Sequence, residues 1–177
     1  MIFFCHPERG EESDQILRHA QDDMKRIIVT VLITASLSVT GCAMFQSDED
    51  SLREDIVETA LDQVGEDYEY GGADPSDGFD CSGLVYYSYK EAGIKLPRSA
   101  AAQRKAGRAV KFSDAKPADL LFYSFGDRKA GDLHVVIYLG DGKAVHAPVR
   151  NGEVEEINVA ESHWRKRYVG AVSILKD

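Results

Sequence analysis

The hydrophobic period of this chain changes once, near Gly107, and that change restricts the fold more than any other feature of the sequence. Before it, apolar residues recur at helical spacing. In 51–65 the apolar positions are Leu52, Ile56, Ala60, Leu61 and Val64, with Ser51 suited to cap the start and Gly65 to end it. A second stripe, Cys81, Leu84, Val85, Ser88, Tyr89 and Ala92, is closed by Gly93, and the segment 96–99 (LPRS) leads into a short third helix through about Ala106. After Gly107 the segments 118–125, 134–139, 143–147, 154–159 and 168–175 read as strands bounded by Gly, Asp and Pro. Helices first and strands afterwards predict an α+β domain, with N-terminal helices packed on an antiparallel sheet.

The N-terminal part reads differently. Residues 27–40 form an uncharged apolar run without Gly or Pro, too short for the roughly 20 residues that span a bilayer. The run follows Met24, Lys25 and Arg26 and ends in Val39, Thr40, Gly41 and Cys42. A basic start, a short apolar stretch and small residues before a cleavage point are the parts of a secretory signal. The cysteine directly after them resembles a bacterial lipobox, in which that residue becomes the acylated N-terminus. On this reading 24–41 is a lipoprotein signal peptide, Cys42 carries lipid, and 42–50 is a tether. Met24 suits the start of such a signal, so 1–23 reads as an over-extended reading frame, with a translated N-terminal extension starting at Met1 as the alternative. The acidic run Asp48, Glu49 and Asp50 reads as solvated linker, and 51–177 as the folded domain. Ala43 after Cys42 resembles the outer-membrane sorting pattern, which implies an anchor on the inner face of the outer membrane, within the cell envelope.

Charge and cysteine usage narrow the functions. The formal net charge is −9, which argues against binding a nucleic-acid backbone. The three cysteines do not make a disulfide framework. With Cys42 acylated, Cys81 is the one free thiol beyond the signal. An exported, unpaired thiol is either a buried bystander or a working group.

A working thiol needs a lowered pKa and a nearby base. Cys81 opens a predicted helix, where the dipole favours thiolate, Asp80 fits the N-cap, and free N–H groups suit an oxyanion. His134, His146 and His163 are the histidines beyond the signal, and the first two fall on a predicted hairpin. Its register decides whether they meet. A plain two-residue turn at Asp141 and Gly142 pairs Ile137 with His146, and the histidines diverge. A three-residue loop with Gly142 left-handed, or an equivalent bulge, pairs Leu139 with Lys143 and Val136 with His146. His134 and His146 then share a face as diagonal neighbours, about 7–8 Å apart at Cα. The odd register is the expectation.

Six blocks now carry a resemblance: YEYGG at 68–72, GFDCSGLV at 78–85, LPRS at 96–99, DLLF at 119–122, HVVIYLG at 134–140 and HAP at 146–148. Together they resemble the NlpC family of papain-like cell-wall peptidases, in family order across nearly all of the folded domain. The resemblance implies a papain-like α+β fold and a cysteine endopeptidase cutting peptidoglycan stem peptides or their crosslinks during wall remodelling, without metal or cofactor. It implies Cys81 as nucleophile, His134 as general base and then acid, His146 as the group orienting His134, and Tyr68 as the tyrosine facing the thiol. It further implies that Asp80, Ser82 and Arg98 bind the stem peptide. Two departures stand out. Ala118 replaces the family glycine of a Pro-Gly-Asp turn, which asks that turn to avoid left-handed geometry. Val136 replaces the glycine after His-Val and narrows the strand face.

Other readings compete. The same thiol and histidines suit amidase or acyl-transfer chemistry, and a lipoprotein that binds stem peptides without cutting them is a third possibility. A metal site from His134, His146 and Asp132 lacks a supporting motif. His163 and Trp164 read as structural, with Trp164 filling the core near the last strand. The expected partners are stem peptides and, through Cys42, a membrane; a monomer is expected.

Overall fold

The computed structural model describes residues 48–126, 133–148 and 152–175. The signal, Cys42, most of the tether and Asp132 lie outside the described residues. Among those described, no helix is long and apolar enough to cross a membrane.

Helix α1 (Asp48–Leu61) opens three residues before the Ser51 start that the periodicity indicates. The acidic run that reads as linker is its first turn. Carboxylates are favoured there by the helix dipole, and Glu49 pairs with Arg53 one turn on at 2.8 Å. A short ribbon of β1 (Ala73–Asp74) and β2 (Gly78–Phe79) then delivers the chain to α2 (Cys81–Glu91). Helix α2 ends as expected, with Ala92 as C-cap and Gly93 at φ 79°. Helix α3 (Ala100–Ala106) follows Ser99.

The remaining strands form one antiparallel sheet in the order β3-β8-β4-β5-β6-β7. They are β3 (Arg108–Val110), β4 (Leu120–Ser124), β5 (Leu133–Gly140), β6 (Lys143–His146), β7 (Glu155–Asn158) and β8 (Tyr168–Ser173). A one-turn helix α4 (Ser162–Arg165) precedes β8, which returns to lie between β3 and β4. Strand β3 was not legible: three partly exposed residues on a sheet edge leave no alternation to read.

Alternation within the strands makes two cores. Leu120, Phe122, Val135, Ile137, Val145 and Val172 meet Ile56, Ala60, Leu84, Val85 and Tyr89 of α1 and α2. Leu121, Tyr123, Val136, Tyr138, Ala144 and Ala171 form the opposite face with Val159 and Trp164. Val136 is thus fully buried in the second core.

Ala118 overturns one expectation. Its φ is 68°, so the turn keeps the left-handed geometry that a glycine would occupy freely. Its N–H donates to the Tyr138 carbonyl at 2.8 Å, and its own carbonyl accepts from the Tyr89 hydroxyl, so the surroundings hold the conformation. The left-handed backbone costs about 1–2 kcal/mol, and burying the methyl group returns about 0.8 kcal/mol.

The β5–β6 hairpin turns on two residues, not three. Gly140 pairs with Lys143 around Asp141 (φ 50°) and Gly142 (φ 75°), both left-handed, as a type I′ turn requires. Leu139 therefore does not pair with Lys143. Instead the register shifts between Tyr138 and Gly140, leaving Leu139 as the extra residue of a bulge, and Tyr138 pairs with Ala144 and Ile137 with Val145. Continued by one residue, this register sets His146 opposite Val136, the arrangement that places both histidines on one face.

Candidate active site

The site forms where the start of α2 meets the starting end of β5. Asp80 caps the helix: its Oδ1 accepts from the Gly83 N–H at 2.7 Å. Gly83 allows the helix to sit against Gly72, since an alanine Cβ at 83 would lie 1.9 Å from the Gly72 carbonyl oxygen. Gly72 is itself closely approached, since a Cβ there would lie 2.3 Å from the Gly78 carbonyl oxygen, and it accepts from the Asp80 N–H at 3.1 Å, while Gly71 supplies a left-handed φ of 84°.

Cys81 is a half-buried free thiol at the first position of α2. The backbone N–H groups of Val135 and Ser82 lie near its sulfur and favour the thiolate. Val135 directly follows His134, so this contact ties the thiol to the strand that carries the imidazole. His134 and His146 are brought together, with His134 Nε2 2.7 Å from His146 Nδ1. The other His134 nitrogen, Nδ1, is buried and has no partner. Tyr68 also belongs here: burial pushes its phenol up from the ordinary range, and the nearby Cys81 and Asp80 push in the same direction.

Burial pushes the Cys81 thiol up and pushes His134 down to about 3. Each alone prefers its neutral form. The two N–H donors at the sulfur work the other way and favour thiolate. A thiolate and an imidazolium formed together here would stabilise each other in a low dielectric.

Asp80, Ser82 and Arg98 converge beside the thiol, but they bind one another. Arg98 grips the Asp80 carboxylate with two bonds of 2.8 Å, donates to Ser82 Oγ at 3.0 Å and reaches the Gly72 carbonyl at 2.8 Å. Burial raises the Asp80 carboxyl, yet Arg98, the Gly83 N–H and Ser82 outweigh it and hold it below the ordinary carboxylate range. A depressed folded-state pKa contributes stability above the unfolded value, about 3.9, and that stability is lost as pH falls through the folded pKa. Asp80→Asn is therefore expected to lower the urea midpoint at neutral pH, with the gap to wild type closing in acid. A gap constant with pH would remove the ion pair from this account.

Two residues at the site were not picked out for it. Trp164 fills the second core as expected, but it also walls the histidine pair, with its ring centroid 5.3 Å from His146 and 6.0 Å from His134. Glu155 sits opposite His146 on β7, with Oε1 3.3 Å from His146 Nε2. Nothing local marks it, because its place depends on the β6–β7 register. His163 is exposed. Among the described residues no cluster of three His, Cys, Asp or Glu side chains is placed to hold a metal ion.

A helix-borne thiol set against an imidazole pair on an antiparallel sheet is the layout of the papain-like cysteine peptidase class. The model described as the NlpC/P60 family matches residues 65–173, and the chain belongs to that family. It is 36% identical over 154 residues to the gamma-DL-glutamyl hydrolase of Bacillus subtilis, spanning 86% of this chain and 37% of that protein. It is 37% identical over 118 residues to the murein DD-endopeptidase MepH of Escherichia coli, spanning 65% of this chain and 43% of that protein. The chain thus spans about two fifths of the length of these curated relatives. The crystal structure of an NlpC/P60 family protein from Bacillus cereus superposes with a TM-score of 0.64 at 33% identity, covering 70% of this chain and 40% of that one.

Proposed function

We propose that this chain is a cysteine endopeptidase that hydrolyses peptide bonds in the stem peptides or crosslinks of peptidoglycan. The observation that carries the proposal is the geometry around Cys81. The thiol sits at the start of a helix that packs on the strand carrying a buried histidine, whose Nδ1 is unpartnered and whose Nε2 is 2.7 Å from His146. In the mechanism that follows, Cys81 attacks the scissile carbonyl as His134 Nδ1 takes the thiol proton. The first-turn N–H groups of α2 stabilise the oxyanion, and the imidazolium returns its proton to the leaving amine. His146 holds the ring, Tyr68 faces the thiol, and the cluster of Asp80, Ser82 and Arg98 forms one wall of the peptide cleft. Deacylation by water needs no metal or cofactor.

The names of the relatives point to two kinds of bond, a γ-glutamyl linkage and a DD crosslink. Only the second name is that of a murein hydrolase, which supports peptidoglycan as the substrate class for this chain and leaves the bond to experiment. The proposal includes a lipid on Cys42, supported by the lipobox-like segment before it, and with it a monomeric enzyme held at the outer membrane of the cell envelope.

The test is mass spectrometry of defined muropeptides incubated with the reduced full chain. Fragments cut between amino acids, formed only with a free thiol, are expected, and their masses name the bond. A cut at the sugar–peptide amide would make it an amidase, and an acyl group moved to an acceptor a transferase. No turnover with the thiol shown to be reduced would leave a stem-peptide-binding lipoprotein.

A further inference from the structure

The histidine pair poses a question of tautomers. A carboxylate only accepts hydrogen bonds, so the contact between Glu155 Oε1 and His146 Nε2 requires the proton of neutral His146 to sit on Nε2. His146 Nδ1 is then a bare acceptor. The 2.7 Å contact with His134 Nε2 in turn requires that nitrogen to carry the His134 proton. Neutral His134 is left with a bare lone pair on Nδ1, the nitrogen that is buried and unpartnered. Without an acceptor beyond His146, the opposite order satisfies the same 2.7 Å contact: His146 donates from Nδ1, and His134 carries its proton on Nδ1, where it cannot serve as a base.

We propose that Glu155 is a positioning residue that sets the tautomers of both histidines and so keeps His134 Nδ1 free to accept a proton from Cys81. The catalytic part of this rests on the peptidase reading above; the tautomer part does not. Register is what builds the device. Glu155 pairs directly with His146 across β6 and β7, so its side chain shares that face, while the adjacent Glu156 pairs with Val145 and points the other way. Glu155 is more than half exposed, whereas both histidines are almost fully buried, so it joins a closed site to the solvent edge. Its charge also favours the imidazolium that forms on His134 during attack, one imidazole away.

The experiment uses the full chain labelled with ¹⁵N-histidine. Long-range ¹H–¹⁵N spectra report which nitrogen of each ring is protonated, and kcat and KM are measured on the muropeptide that the chain cleaves. In wild type, both rings are expected to be protonated on Nε2. Glu155→Gln retains an acceptor oxygen and is expected to keep that pattern. Glu155→Ala is expected to populate the Nδ1–H forms and to lower kcat by about tenfold with little change in KM. Glu156→Ala removes a neighbouring charge and is expected to change neither. Thermal unfolding of Glu155→Ala near that of wild type separates the effect from misfolding.

A wild-type His146 protonated on Nδ1 overturns the proposal. So does a Glu155→Ala chain with unchanged tautomers, or one with altered tautomers and unchanged kcat. If no stem peptide is cleaved by wild type, the peptidase reading fails while the spectra still decide the tautomers.

Discussion

Cys81→Ala is expected to reduce stem-peptide cleavage by on the order of 10⁴-fold or more while leaving the fold in place. The expectation rests on what the substitution removes and what it spares. The sulfur is the one atom of the site able to form an acyl intermediate at neutral pH, and water in its place lacks both its nucleophilicity and its position at the helix start. The fold does not depend on it, because Asp80 caps α2 and Gly83 makes the close contact with Gly72. Unfolding free energy is expected within about 1 kcal/mol of wild type. Cys81→Ser is expected to be nearly as inactive, since a hydroxyl is far harder to deprotonate than a thiol. Single-turnover assays on muropeptides, with titration calorimetry of the alanine variant, separate chemistry from binding. Undiminished turnover by Cys81→Ala would remove the thiol from the mechanism.

The second large effect is on stability and lies away from the thiol. Arg53→Met is expected to destabilise the protein by about 3–5 kcal/mol, because it strands a buried carboxylate. Arg53 and Asp119 are nearly inaccessible and 2.9 Å apart. The same guanidinium donates to the Pro117 carbonyl at 2.7 Å, to Ser173 Oγ at 3.2 Å and to Glu49 at 2.8 Å. One side chain of α1 thereby clamps the turn before β4 to the end of β8. Adding Asp119→Asn to Arg53→Met removes the stranded charge and is expected to recover part of the loss. Urea unfolding checks this: a lower midpoint at unchanged m-value supports the clamp. A loss below about 1 kcal/mol would make it a pair whose attraction merely balances its desolvation.

Arg53 also marks a limit of reading in one dimension. It occupies a charged helical position, and nothing in its neighbours distinguishes it from the exposed Glu54 and Asp55 that follow. Its burial comes from a partner 66 positions away. Glu155 is the same case at the site: its role depends on the pairing of β7 with β6, set by how the sheet closes.

Much else was legible because its cause is local. Helical period, Asp80 at an N-cap, glycines at turn positions and the α+β order follow from short-range sterics and hydrophobic spacing, and they place Cys81 at the start of a helix without further information. The hairpin lies between the two kinds. Asp141 and Gly142 mark the turn, and the need for His134 and His146 to share a face demands an odd register. The chain meets that demand with a two-residue turn and a bulge at Leu139. Ala118 shows the reverse: its intrinsic preference points away from φ 68°, and hydrogen bonds from Tyr89 and to Tyr138 override it. Neighbours within a few positions were enough to read the main helices, most of the sheet strands and the residue types available for thiol chemistry. Tertiary structure alone decided which His134 nitrogen stays free, which carboxylate stands behind His146 and which charge is buried, because each depends on strands and helices meeting across long stretches of chain.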